Sequence, residues 1–133
     1  MKNLGSAKYF FTLTILLFCS SAIYSLSLYD NNLSNVVNLN PKNFGDQIIQ
    51  NRSKNIVSIV HFYKLDDGKS RGMKLTYEKF AEENDGLFKV TAMNCKEFQD
   101  ICEKQEVREY PTFKIYPPLP APIFVYEVRS HLN

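Results

Sequence analysis

No two of the three cysteines in this 133-residue chain stand in a C-x-x-C arrangement, so the closely spaced dithiol that surface thiol–disulfide exchange relies on is missing. Glycine is scarce where a phosphate loop would need it. Gly68-Lys69-Ser70 has the form of such a loop's end, but Tyr63 stands at the position, five residues upstream, that requires glycine. Asp66 and Asp67 lack the ligand spacing of a calcium loop, and nothing in the chain implies a metal site or a cofactor. Charge of either sign is not in excess either. Residues 1–22 hold Lys2 and Lys8 and no acid, and without them 14 basic residues face 14 acidic ones. No basic patch or stripe remains to track a nucleic acid. Long apolar runs are absent too: the one stretch of note, Tyr9 to Phe18, is shorter than the ~20 residues of a membrane span.

That run has its own meaning. A positive flank, a short apolar core and the small residues Ser20, Ser21 and Ala22 predict a secretory signal peptide over 1–22, cleaved after Ala22 or Ser25. An uncleaved anchor is the alternative; after cleavage no span is expected. Residues 23–34 read as a polar, loosely held lead-in and 35–133 as one domain. Cys19 leaves with the leader. The remaining even pair, Cys95 and Cys102, reads as a disulfide in an oxidising compartment. Two tripeptides, Asn32-Leu-Ser34 and Asn51-Arg-Ser53, are candidate N-glycosylation sites.

The chain is organised around Val57 to Ala81. Ile56 to Tyr63, rich in β-branched and aromatic residues, predicts a strand buried on both faces, followed by a charged loop, Lys64 to Gly72. Met73, Tyr77, Phe80 or Ala81, and Asn84 then recur at helical spacing, with Lys74, Glu78, Lys79 and Glu82 off that stripe. This order puts the loop at the carboxyl end of a strand and against a helix N-terminus, where ligands of α/β sheets commonly bind. Acids there, Asp66 and Asp67, are also what a helix dipole favours without any ligand.

Upstream, Val36 to Leu39 predicts a first strand, Asn40-Pro41 a helix start, and Phe44, Ile48 and Ile49 that helix's buried face. Downstream, Leu87 to Met93 predicts a strand with Phe88, Val90 and Ala92 inward and Lys89 and Thr91 outward. A helix over Lys96 to Gln105, with Phe98, Ile101 and Cys102 facing the sheet, comes next. Tyr110 to Tyr116 and Ile123 to Val128 read as the last strands. The four prolines within Pro117 to Pro122 between them predict a rigid hairpin loop, with a docking motif for an aromatic-lined groove as the alternative.

Phe62, Tyr63, Gly68, Tyr77 and Ala81 match the redox-site segment of thioredoxin-like domains, and the chain resembles most closely those of the protein disulfide isomerase family. Val36, Leu39, Asn43 and Phe44 are similar to the family's opening, and Val107 with Tyr110-Pro111-Thr112, Lys114 and Tyr116 to its cis-proline segment. The resemblance implies an α/β thioredoxin-like fold, a central mixed sheet flanked by helices, with the C-terminal helix short or missing. It also implies a lost reaction. Asp67 stands at the attacking cysteine, Ser70 at the resolving one, His61 at the buried acid and Asp66 at a tryptophan, a residue the chain lacks altogether.

The expectation is therefore a non-catalytic protein of the secretory pathway, in the endoplasmic reticulum lumen or secreted, with no KDEL-type ending. It would bind polypeptide clients or partners beside Tyr110, Pro111 and Thr112, a segment that in the family pairs with extended backbone. A dedicated structural subunit, whose partner covers the sheet face left bare at the C-terminal end, is a second reading. An oxidoreductase using Cys95 and Cys102 is a third, set against the structural disulfide that some family members carry at this place. His61 is either a core residue with one satisfied hydrogen bond or a group that titrates usefully.

Overall fold

Alternation along one central strand divides the molecule into two cores. The structure, a computed structural model, describes residues 26–127; the expected leader with its cleavage points and the tail 128–133 lie outside the described residues. The central strand, β2 (Ser58–Tyr63), is preceded by β1 (Val37–Asn38) and by α1, a π-helical segment Gly45–Gln50 running into a single α-turn, Asn51–Ser53. After it come α2 (Gly68–Gly72), α3 (Lys74–Glu83), β3 (Lys89–Asn94), α4 (Gln99–Lys104), β4 (Thr112–Tyr116) and β5 (Phe124–Tyr126). The sheet order is β1-β3-β2-β4-β5. β3 runs parallel to both β1 and β2, whereas β4 pairs antiparallel with β2, and β5 antiparallel with β4. This is the thioredoxin fold, a mixed five-stranded sheet flanked by helices. Among the described residues no helix is long and apolar enough to cross a membrane.

Val60 and Phe62 of β2 point into the first core, with Leu39, Phe44, Ile48, Met93 and Tyr116. On the other face lies the second, with Tyr29, Tyr63, Tyr77, Ala81, Val90 and Phe113. Each large apolar side chain so buried contributes ~1.5–3 kcal/mol relative to exposure. The helix expected to start at Asn40-Pro41 begins later, at Gly45; the Asn40 side-chain oxygen accepts the Lys42 and Asn43 N–H groups in a turn ahead of α1.

Several local expectations are corrected. Ile49 is 48 % exposed rather than buried, because it follows the fully buried Ile48 by one position and so points well round the helix from it. Thr91 is buried, not outward. β3 lies between β1 and β2 with both faces covered, and the Thr91 hydroxyl donates to the Ile59 carbonyl at 2.8 Å. Leu87 and Phe88 precede β3 instead of opening it, and Leu87 is exposed. The loop expected over 64–72 is half helix, since Gly68–Gly72 forms α2.

The stretch before β1 is tied down rather than loose. Tyr29 is buried in the second core, the Tyr63 hydroxyl accepts the Leu28 N–H at 3.1 Å, and Asn38 Nδ2 donates to the Tyr29 carbonyl at 2.8 Å. The proline loop is clamped as well. Arg52 donates to the carbonyls of Pro117 (2.9 Å) and Ala121 (2.5 Å), which favours the rigid hairpin over a free docking motif. The last described strand is shorter than Ile123 to Val128, and all three residues of β5 are exposed.

Candidate functional site

The chain leaves β2 at Tyr63 and turns at once into α2, so Lys64 to Ser70 sit at the carboxyl end of the central strand. Asp67 has extended backbone and caps α2: its carboxylate accepts the Ser70 N–H at 2.7 Å. Hydrogen bonding to Ser70, through its side chain first and its backbone N–H second, holds the Asp67 carboxyl below the usual carboxylate range. Ser70 is fully buried, and its Oγ accepts the Lys64 N–H at 3.4 Å. Asp66 points the other way, in an exposed 2.8 Å ion pair with Lys96 that lowers its own pKa. Asp67 and Ser70 thus spend their polar groups on starting a helix.

β4 brings the second sequence segment alongside. Thr112 is in register with Phe62, so Tyr110, Pro111 and Thr112 flank the turn after β2. The Tyr110–Pro111 peptide is cis, as is Leu119–Pro120. Tyr110, Pro111 and Thr112 are partly exposed, Lys64 Nζ lies 4.5 Å over the Tyr110 ring, and the Thr112 hydroxyl donates to the Glu109 carbonyl at 2.6 Å. A main-chain segment, a cationic ring face and a capped helix start therefore share one end of the sheet.

Cys95 and Cys102 are joined in a disulfide that spans from the end of β3 to α4, and both are 0 % exposed. The Cys95 N–H donates to the Tyr63 carbonyl at 2.8 Å, so the bridge lies close behind the turn but inside the first core. An attacking thiolate has no line of approach to either sulfur in the folded state.

His61 does not join this cluster. It faces the second core, stacked on Phe113 at a centroid distance of 4.6 Å and ringed by Tyr29, Tyr63 and Tyr77. Nδ1 is bonded to the Tyr29 hydroxyl and Nε2 has no partner among the described residues. Burial alone lowers its pKa to about 4. Of the two glycosylation candidates, Asn32 is exposed in a turn ahead of β1 and Asn51 is buried on α1.

Three partners escaped the sequence reading: Tyr29 for His61, Tyr110 for Lys64 and Lys96 for Asp66. Each is made across elements that no local periodicity connects. The apolar residues around it in the lead-in, Leu26, Leu28 and Leu33, were the available signal for Tyr29.

A family model described as thioredoxin matches residues 35–126. A putative protein disulfide-isomerase of Dictyostelium discoideum is 34 % identical over 83 residues, 62 % of this chain and 20 % of that protein. Protein disulfide-isomerase MPD1 of Saccharomyces cerevisiae is 31 % identical over 104 residues, 77 % of this chain and 31 % of its own length. The chain thus spans less than a third of these curated relatives. Full-length ERdj5 superposes with a TM-score of 0.67 at 24 % identity, over 84 % of this chain and 15 % of that one, a likeness of fold. Sheet order, cis-proline placement and the match over 35–126 lead to one assignment: the chain belongs to the thioredoxin family.

Proposed function

We propose that this protein is a non-catalytic thioredoxin-like member of the secretory pathway that binds polypeptide beside Tyr110, Pro111 and Thr112. One observation carries the reading. At the two positions where the family places its thiols, Asp67 accepts the Ser70 N–H to cap α2 and Ser70 is fully buried, so neither a nucleophile nor a resolving group is present. The Cys95–Cys102 bridge is no substitute, because both sulfurs are sealed in the first core. Binding survives such a loss, since pairing with extended backbone needs main-chain groups and apolar neighbours rather than a thiolate. Relatives named as protein disulfide-isomerases, the short apolar leader and the internal disulfide all support a secretory-pathway setting, luminal or secreted.

A dedicated-subunit reading is favoured by a different observation. Ile59, Met73, Tyr77, Phe80, Phe113 and Tyr126 line an apolar groove of about 440 Å³ beside the exposed strand β5. Contiguous apolar surface of this kind is a common mark of protein contact.

Insulin reduction and a native pull-down test both readings together. Turnover at the reductant-only background is expected. Turnover that survives Asp67→Ala and disappears in Cys95→Ser would make the protein an enzyme and overturn the proposal. In the pull-down, many secretory chains retained regardless of reductant, and lost on Pro111→Ala, support client binding. One or two partners at fixed stoichiometry support the subunit reading.

A further inference from the structure

The two glycosylation tripeptides are alike in sequence and opposite in structure. Asn32 sits in the turn Asp30–Ser34, closed by the Leu33 and Ser34 N–H groups donating to the Asp30 carbonyl at 3.2 and 2.9 Å. Its own N–H donates to Asp30 Oδ1 at 2.8 Å, which fixes the backbone, while no hydrogen bond among the described residues involves its side-chain amide. The residue is exposed, and so is Leu33 between it and Ser34. Asn51 is 8 % exposed and its Nδ2 donates to the Gln47 carbonyl at 2.5 Å, an i to i−4 bond inside α1. Its carbonyl accepts the Lys54 and Ile56 N–H groups at the helix end, both at 3.0 Å. A glycan on that nitrogen would break the first bond and need room that the packed α1 does not leave.

We infer that Asn32 is the N-glycan acceptor of the folded protein and that Asn51 is not, an inference that rests on the secretory-pathway reading above. The donor class is a polyprenyl-diphosphate-linked oligosaccharide. The Asn32 Nδ2–C1 bond forms as the C1–oxygen bond to the diphosphate breaks; Nδ2 gives up one of its two protons and the polyprenyl diphosphate leaves. Ser34 supplies the hydroxyl that the tripeptide requires.

The position also suits a binding protein. Asn31 Oδ1 accepts the Asn38 Nδ2 proton at 2.7 Å, which ties the turn to β1, one edge of the sheet. Tyr110 to Thr112 lead into β4 and the apolar groove adjoins β5, at the opposite edge. A glycan at Asn32 therefore lies towards the β1 edge and leaves the proposed binding face, nearer the opposite edge, uncovered.

Translation of the full chain in a lysate supplemented with endoplasmic-reticulum microsomes tests this, with protease protection reporting entry and peptide-N-glycosidase reporting the glycan. The expected result is a protected chain carrying one glycan, lost in Asn32→Gln and Ser34→Ala and kept in Ser34→Thr and Asn51→Gln. A protected chain with no glycan overturns the inference alone, whereas an unprotected chain overturns it together with the secretory reading. A glycan retained in Asn32→Gln on chains that resist limited trypsin digestion, and so are folded, would place the modification at Asn51 and reverse the assignment.

Discussion

The Tyr29 hydroxyl lies 2.6 Å from His61 Nδ1, joining the segment ahead of β1 to the centre of the sheet. Both side chains are buried, and Nε2 of the same imidazole has no partner among the described residues. Burial lowers the histidine's pKa and raises that of the phenol, so both groups stay neutral at pH 7 and one proton is shared between them. Removing the hydroxyl leaves the imidazole with neither nitrogen satisfied, which costs about 1–3 kcal/mol. Tyr29→Phe is therefore expected to lower the urea midpoint by that much stability at unchanged slope. A midpoint shift of a few tenths of a kcal/mol or less would show that the segment is held by packing alone.

The same histidine sets an acid limit. Its pKa falls from 6.5 to about 4 on folding, so between those values the unfolded chain binds the proton and the folded one does not. Stability is then fully present above pH 6.5 and is lost as the pH falls towards 4. At pH 5 the loss from this group alone is about 2 kcal/mol. Asp66 and Asp67, whose pKa values are also lowered, add their loss only further down, below the ordinary carboxylate range. Unfolding free energies at pH 7 and pH 5 test this in wild type and in the double variant Tyr29→Phe/His61→Phe, which leaves no histidine in this core. The wild type should weaken over that interval and the variant should not.

How far the sequence could be read follows from which forces are local. The strand Ser58–Tyr63, the helix stripe of Tyr77 and Ala81 and the disulfide spacing of Cys95 and Cys102 depend on neighbours a few positions away, and periodicity exposes them. Asp67 as a helix-start acid belongs to the same class, although the helix it caps was expected one turn later. Thr91 was misplaced because alternation assumes one open face, and β3 has none. Tyr29 was missed because its partner is 32 residues away. At the candidate site, residue identity placed Asp67 and Ser70 in the turn after β2, but the use made of them became visible only in three dimensions.

Placing two thiols in the turn after β2 tests the proposed non-catalytic reading from the other side. Asp67 and Ser70 are already joined by a side-chain-to-backbone bond across one helical turn, and Ser70 is buried as a protected second thiol would be. The double variant Asp67→Cys/Ser70→Cys is expected to reduce insulin at a rate above wild type, because the helix N-terminus lowers a cysteine's pKa there. It should also unfold at a lower temperature, having lost its cap. Asp67→Cys alone is expected to form mixed disulfides without turnover, since nothing resolves them. An inactive double variant that keeps its fold would mean that His61, in place of a carboxylate, also blocks the chemistry.

The Cys95–Cys102 bridge closes a short loop, with a sequence separation of 7, and its worth can be set against its burial. In the chain-entropy account a loop of that size stabilises by about 2.5 kcal/mol. Cys95→Ala/Cys102→Ala should lose that amount, plus a smaller packing loss, because both positions are fully enclosed in the first core. Enclosure makes a kinetic prediction as well. In dithiothreitol with an alkylating reagent, Cys95 and Cys102 of the wild type, followed by peptide mapping, should be labelled only as fast as the first core opens, and the rate should climb steeply with denaturant. A surface disulfide would instead be labelled at a rate set by reductant concentration and indifferent to mild denaturant. Observing the second pattern would put the sulfurs within reach of other thiols and return Cys95 and Cys102 to the list of redox candidates.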